Sequence, residues 1–185
     1  MTQIESARKG IITTEMKNAA ASEGLDAEVI RKGIEEGVIV INRNRLHTSI
    51  PGLAVGKGLK TKVNANIGSS QDMVDVEVEL LKLRAAIAAG ADAVMDLSTG
   101  GDVAAIRKAV MAESTVAIGT VPIYQAAHDA RKRGKSFVEL EGDEMFEAIE
   151  RHAEDGVDFV TVHCGVTRSS VERIRKEGRI MGIVS

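Results

Sequence analysis

The sequence is poor in several residue types, and each scarcity excludes a class of protein. It has one cysteine, Cys164, in 185 residues, so the chain cannot form an internal disulfide or a metal site made of cysteines alone. It lacks tryptophan and has one tyrosine and three phenylalanines, so its core must be built from aliphatic residues and methionine. The scarcity of cysteine fits a reducing compartment, and we expect a cytoplasmic protein.

Neither charge nor hydrophobicity indicates a nucleic-acid or membrane partner. The 27 acidic side chains outnumber the 24 basic ones, and the formal net charge is -3, whereas nucleic-acid-binding domains are usually basic. The longest apolar stretches, such as 38–41 and 85–89, are far shorter than the roughly 18 to 20 residues that cross a bilayer. With 44% hydrophobic residues, the chain can bury a core, so we expect a soluble folded protein.

From Val63 onward, short β-like runs alternate with amphipathic helical runs. This alternation predicts an α/β fold of repeated βα units around a parallel sheet. Strands are predicted at 62–67, 93–97, 116–120 and 159–163, and a fifth strand at 180–185. The apolar residues predicted to face inward from the intervening helices are Val76, Leu80, Leu83, Ile87, Val103, Ile106, Val110, Phe146, Ile149 and Ala153. A last helix at 169–176 is closed by Gly178.

The first 60 residues follow a different pattern and are predicted to form an amino-terminal extension. Helices are expected at 14–22 and 26–36, with Asp26 as an N-cap, followed by a short strand at 38–41 and a linker at 46–58. The predicted division is therefore 1–60 for the extension and 61–185 for the βα units.

A short Gly-x-Asp motif precedes two of the predicted strands, at Gly90–Asp92 and at Gly156–Asp158. In each copy the glycine can end a helix and the aspartate can form the turn into the strand. The motif therefore indicates a repeated fold unit and carries no chemistry of its own.

Polar or glycine-rich residues lie at or just after the end of each predicted strand of the parallel sheet. They comprise Asn64, Asn66 and Gly68 for the first strand, Asp96 and 98–102 for the second, Tyr124 and Gln125 for the third, and His163, Cys164 and Thr167 for the fourth. Ligands of parallel α/β proteins bind at the carboxyl ends of the strands, so these residues are candidates for a binding site.

Several of these residues also have structural interpretations. Asn64 and Asn66 can satisfy turn amides, and Asp96 can be a helix cap or a buried acceptor. Residues 98–102 can be an ordinary turn or an anion-binding loop, although they match neither the P-loop nor the dinucleotide-binding spacing. Cys164 is expected to be a small buried side chain, and no metal site is expected within the chain.

The remaining histidines, His47, His128 and His152, stand isolated in the sequence, and no role is assigned to them.

Four strings together resemble the phosphomethylpyrimidine synthase (ThiC) family of thiamine biosynthesis. They are Thr61-Lys-Val-Asn-Ala-Asn-Ile-Gly68, Ala91-Asp-Ala-Val-Met-Asp-Leu-Ser-Thr-Gly-Gly-Asp102, Gly119-Thr-Val-Pro-Ile-Tyr-Gln125 and Val162-His-Cys-Gly-Val-Thr167. The resemblance implies a (β/α)8 barrel and a radical S-adenosylmethionine lyase that converts 5-aminoimidazole ribonucleotide to hydroxymethylpyrimidine phosphate, releasing formate and carbon monoxide. It also implies that the substrate is contacted at five positions: Asn66, Met95, Tyr124, His163 and Ser185.

The resemblance covers only the amino-terminal part of that family. Its members continue into the rest of the barrel, two zinc-ligand histidines and a three-cysteine motif for a [4Fe-4S] cluster, and these residues have no counterpart in this chain. About half a barrel is therefore expected, with no catalytic residue and no metal ligand, and a fragment that is inactive alone.

An incomplete barrel leaves a sheet edge, so the half-barrel is expected either to pair with a second copy or to be a truncated product of a longer gene. The alternative functions are a non-catalytic ribonucleotide-binding or assembly module, and a related hydroxybenzimidazole synthase that uses the same substrate.

Overall fold

The computed structural model describes residues 1–178, so the predicted strand at 180–185 lies outside the described residues. The amino-terminal elements are α1 (Gln3–Arg8), α2 (Thr14–Glu23), α3 (Ala27–Glu35), β1 (Ile39–Asn42) and β2 (Leu53–Gly56). The next elements are β3 (Asn64–Ile67), α4 (Val76–Ala88), β4 (Ala93–Asp96), α5 (Val103–Glu113), β5 (Ala117–Thr120) and α6 (Pro122–Lys132). A 3-10 turn (Phe137–Glu139), α7 (Gly142–Glu154), β6 (Phe159–Val160) and α8 (Arg168–Glu177) complete the described chain.

Strands β3 to β6 form one parallel sheet in the order β3-β4-β5-β6, with a helix after each strand. Each strand pairs with the next one in the chain, which is the arrangement of consecutive units in a (β/α) barrel. The α/β prediction is confirmed, and the sheet is consistent with a partial barrel.

The two faces of this sheet have different neighbours because successive strand residues point to opposite sides. One face contributes Ile67, Val94 and Ile118 to an aliphatic core shared with the helices, which supply Leu83 and Val110. The other face, the inner face of the partial barrel, is lined near the strand beginnings by a smaller cluster of Ile50, Leu53, Ala93, Ala117 and Phe159.

Aspartate side chains fix several helix starts. Asp26 caps α3, as predicted, and Asp102 caps α5. For α4 the cap is Asp75, whose carboxylate accepts from the backbone N–H of Glu77 at 2.9 Å. Ser69, Ser70 and Asp72, which are also residue types suited to a cap, lie in the loop before it.

The repeated Gly-x-Asp motif joins neighbouring strands. Asp92 accepts from the backbone N–H of Val63 at 2.7 Å, and Asp158 accepts from that of Ile118 at 2.8 Å. In both copies an aspartate before one strand binds the backbone at or just before the neighbouring strand. The structural interpretation of the motif is confirmed, and its role extends to aligning adjacent βα units.

The segment predicted as a linker contains a strand. Strand β2 pairs antiparallel with β1, and the chain before it is tied to the parallel sheet by His47. The imidazole Nδ1 lies 2.6 Å from Asp158 Oδ2, and both side chains are almost fully buried. The linker prediction was wrong here because glycine and proline mark turns without excluding a short strand between them.

Helix α7 presents a different face from the one predicted. Phe146 is 71% exposed, whereas Ala148 and His152 are buried. The apolar spacing was misleading because the inward position is taken by a polar residue with hydrogen-bond partners, His152.

In residues 1–178 we find no helix with the length and hydrophobicity needed to cross a membrane.

Candidate functional site

Two of the predicted site residues are side by side on the inner face of the sheet. Asn66 on β3 and Met95 on β4 are register partners, and Gly119 on β5 follows Met95 in the same row. Asn66 is exposed and Met95 is partly buried. Asn66 Oδ1 accepts from Asn64 Nδ2 at 3.1 Å, which leaves the Asn66 amide N–H groups available to donate to a ligand.

The other two described candidates come from neighbouring units and also meet. Tyr124 lies in the first turn of α6, and its ring centroid is 6.5 Å from that of His163, with the planes tilted by 46°. Thr161, two residues before His163, donates a weak hydrogen bond to the Met95 sulfur at 3.9 Å. The structure therefore brings Asn66, Met95, Tyr124 and His163 to the same end of the sheet, although it does not test their role. Ser185 lies outside the described residues.

The glycine at position 119 makes room in this row of side chains. A Cβ at Gly119 would lie 2.3 Å from the Phe159 ring, so the ring of β6 occupies the space over β5. Across the inner face, the neighbouring side chains at this level of the sheet are therefore Asn66, Met95 and the Phe159 ring.

The segment that carries His163 is less regular than predicted. Strand β6 ends at Val160, so His163 lies in the connection to α8. Its Nδ1 is buried and has no hydrogen-bond partner among the described residues. Cys164 is exposed, which contradicts the expectation of a buried thiol. The reason is that the strand stops before the cysteine and leaves it in a surface loop.

The glycine-rich segment after β4 is packed against the loop after β3. A Cβ at Gly100 would lie 2.1 Å from the Ser70 carbonyl oxygen, and Ser69 Oγ donates to the Gly100 carbonyl at 2.7 Å. Close backbone packing accounts for the glycine, so residues 98–102 act as a structural turn.

Asp96 is a buried acceptor rather than a helix cap. Its carboxylate accepts from both the backbone N–H and the hydroxyl of Ser98. Burial raises the pKa of Asp96, and the two hydrogen bonds from Ser98 partly offset this effect.

A buried polar network lies on the helix-facing side of the sheet, behind the predicted site. Its centre is Arg107 on α5, which is 3% exposed. Its Nε and Nη2 donate to Asp155 Oδ2 at 3.0 and 2.6 Å, and Nη1 lies 3.0 Å from both Gln125 Oε1 and His152 Nε2. His152 Nδ1 lies 2.7 Å from Thr120 Oγ1 at the end of β5. The network joins α5, α6 and α7 to that strand.

The hydrogen bonds define the protonation of His152. Arginine only donates, so Nε2 accepts from Arg107 and Nδ1 carries the proton that it donates to Thr120. Burial, followed by the charge of Arg107, lowers the pKa of His152 from 6.5 to about 4. The imidazole is therefore neutral at physiological pH.

Tyr124 links the network to the predicted site. With Thr120, Gln125, Arg107 and His152, it lines a cavity of about 10 Å³, while its ring also neighbours His163. A second cavity, of about 190 Å³, lies on the rim beside Tyr124, and its other lining residues are Gln71, Thr99, Ala127, His128 and Arg131.

Sequence reasoning missed both buried histidines because their partners are distant in the chain. Asp158 is 111 residues from His47, and Arg107 is 45 residues from His152. For His47 one signal was present in the sequence. Its partner Asp158 belongs to the repeated Gly-x-Asp motif, and an aspartate just before a strand can bind a residue of a neighbouring unit. In the part of the chain that the structure describes, no group of three or more His, Cys, Asp or Glu side chains could hold a metal ion.

Comparisons with known proteins place the chain in a family. A family model described as the radical SAM ThiC family matches residues 2–185. The chain is similar over its whole length to three proteins named phosphomethylpyrimidine synthase. It is 60% identical to the one from Syntrophus aciditrophicus, 58% to that from Geobacter metallireducens and 49% to that from Thermococcus kodakarensis. The chain spans 42–43% of the length of these curated relatives.

Proposed function

Because the chain belongs to the radical SAM ThiC family, we propose that it forms the amino-terminal part of a phosphomethylpyrimidine synthase and carries half of the substrate site. The substrate is 5-aminoimidazole ribonucleotide, and the complete enzyme rearranges it to hydroxymethylpyrimidine phosphate with release of formate and carbon monoxide. The single observation that carries the proposal is the position of two residue pairs, Asn66 with Met95 and Tyr124 with His163, at the carboxyl end of one parallel sheet.

The chemistry of these side chains suits an imidazole ribonucleotide. The Asn66 amide can donate to the ring nitrogen or to a sugar oxygen, since its own oxygen already accepts from Asn64. Tyr124 and His163 can stack beside a flat heterocycle and donate to its polar groups. Met95 supplies a flexible apolar wall between them. In this proposal, Ser185 adds a contact near the phosphate.

The reactive cofactors are not held by the described residues. Radical SAM enzymes use S-adenosylmethionine and an iron–sulfur cluster, and such clusters are held by cysteine thiolates. The chain has one cysteine, and residues 1–178 contain no cluster of metal-ligating side chains, so they do not fit a [4Fe-4S] cluster or a zinc ion. We propose that both belong to other parts of the enzyme, and that this chain alone binds substrate without turning it over.

Isothermal titration with 5-aminoimidazole ribonucleotide tests the binding proposal. We expect saturable binding by the chain and a loss of about tenfold or more in affinity for Asn66→Asp, which removes an amide donor and places a negative charge beside an anionic ligand. The matched control is Asn18→Asp, which makes the same charge change at an exposed position of α2. Absence of binding, or equal affinities for the two variants, would contradict the proposal.

We also propose that the sheet pairs with a second copy of the chain. In the described residues, β3 and β6 are the two edge strands of the parallel sheet, and free strand edges favour association. Light scattering over a range of concentrations measures the mass in solution. A dimer supports this arrangement, and a monomer at every concentration excludes it.

A further inference from the structure

The start of helix α6, which carries Tyr124, has no side-chain cap. Its N-cap is Val121, with no side-chain hydrogen bond, and Pro122 begins the helix. The preceding helix, α5, begins at Asp102, whose carboxylate accepts from the backbone N–H of Ala105 in the first turn. A missing cap typically costs about 1 kcal/mol of helix stability, so other contacts must hold the first turn in place.

The buried network supplies those contacts on both sides of Tyr124. Gln125, the next residue, is 5% exposed, and its amide oxygen accepts from Arg107 at 3.0 Å. Thr120, the last residue of β5 before the turn, bonds to His152 at 2.7 Å. Arg107 and His152 are themselves joined at 3.0 Å.

Arg107 and Gln125 each make further hydrogen bonds that restrict the positions of their side chains. Asp155 holds the Arg107 guanidinium through two hydrogen bonds to one carboxylate oxygen. Gln125 also donates to Asp129 at 2.8 Å. A side chain restricted in this way also restricts the residues to which it is bonded, as supporting hydrogen bonds orient the residues of a functional site.

From this arrangement we propose that Arg107 and His152 are positioning residues for Tyr124. They hold the end of β5 and the first turn of α6 so that the Tyr124 ring faces His163 on the rim. The importance of this for ligand binding rests on the proposed function, whereas the positioning itself does not.

The fluorescence of Tyr124 can be used to measure the environment of its own ring. It is the one tyrosine in the chain, and there is no tryptophan, so the intrinsic fluorescence comes from this residue. The measured quantities are its quenching constant with acrylamide and its emission anisotropy, followed by the affinity for 5-aminoimidazole ribonucleotide.

The variants test separately the Arg107–Gln125 contact and the His152–Thr120 contact. Gln125→Met removes the Arg107 contact at similar volume. His152→Gln can retain an acceptor for Arg107 while losing the donor to Thr120, and His152→Asn does the reverse. The control is Leu83→Ala, in the aliphatic core, which destabilises the fold without touching the network.

We expect a rise of about twofold or more in acrylamide quenching for Gln125→Met and both His152 variants, and a loss on the order of tenfold in ligand affinity. Leu83→Ala should leave the quenching constant unchanged under conditions where the variant is folded, because loss of stability alone does not move Tyr124.

Unchanged quenching in all the network variants would overturn the inference, as would an equal increase in Leu83→Ala. If quenching rises but the wild-type chain binds no ribonucleotide, the positioning role stands and the proposed function fails. Far-ultraviolet circular dichroism confirms folding of each variant, and Gln125→Met, the mildest change, decides the matter if a His152 variant unfolds.

Discussion

Neutral His152 makes the stability of the fold depend on pH in a defined direction. Its pKa is lowered from 6.5 to about 4 in the folded protein, chiefly by burial and next by the charge of Arg107. Between these two values the unfolded chain binds more protons than the folded one, so the free energy of unfolding rises with pH. The contribution is fully present above pH 6.5 and is lost as the pH falls towards 4.

The size of the effect follows from the width of that window. One proton taken up only by the unfolded state is worth about 1.4 kcal/mol for each pH unit. Across the whole window the loss is on the order of 3 kcal/mol, which is a large share of the roughly 5 to 15 kcal/mol that stabilises a typical domain.

Urea unfolding followed by far-ultraviolet circular dichroism, at several pH values from about 4.5 to 7.5, measures this dependence. Carboxylates also titrate at the acid end, so the relevant quantity is the difference between the wild type and His152→Gln, which cannot be protonated. We expect the variant to be less stable at neutral pH and its stability curve to be flatter between pH 4.5 and 6.5. Parallel curves for the two proteins would refute the assignment of a neutral, buried imidazole.

Two further predictions concern other parts of the fold. At His47, burial opposes protonation, but the hydrogen bond and charge of Asp158 outweigh it and raise the pKa above 6.5; its stabilisation is therefore present below pH 6.5 and declines as the pH rises through the raised pKa. Removing the partner in His47→Gln should cost about 3 kcal/mol in urea unfolding below pH 6.5, and a cost that grows with pH would contradict the pairing. Gly119→Ala would place a Cβ 2.3 Å from the Phe159 ring and should cost about 1 to 3 kcal/mol, measured as a lower melting temperature. Gly142→Ala, where nothing lies within 4 Å, is its control and should change stability by about 0.5 kcal/mol or less.

The elements predicted from hydrophobic periodicity were found close to their expected places. The helix expected around Leu80 and Leu83 is α4, and the strand expected at 93–97 is β4, because a buried apolar stripe specifies both an element and its inward face. The positions after each strand could be selected as site candidates from topology alone, since parallel strands all end at the same edge.

What could not be predicted depends on contacts between distant residues. The burial of His152 rather than Phe146 follows from Arg107 and Thr120, which become its neighbours only when α5, β5 and α7 pack together. Likewise, β2 exists because it can pair with β1, and a four-residue strand leaves little periodicity to detect. A single sequence contains no record of such pairings.

The small apolar cluster at the beginnings of the strands affects how small molecules reach the inner face of the sheet. Ile50 and Leu53, from the chain on either side of Pro51, pack against Ala93 and Ala117 and cover the lower part of the inner face, with His47 and Asp158 locking that segment beneath. A small molecule approaching from the strand beginnings would have to break this buried hydrogen bond and displace the apolar cluster. The inner face is thus covered at the beginnings of the strands, and Asn66 and Met95 lie nearer the opposite, carboxyl end of the sheet.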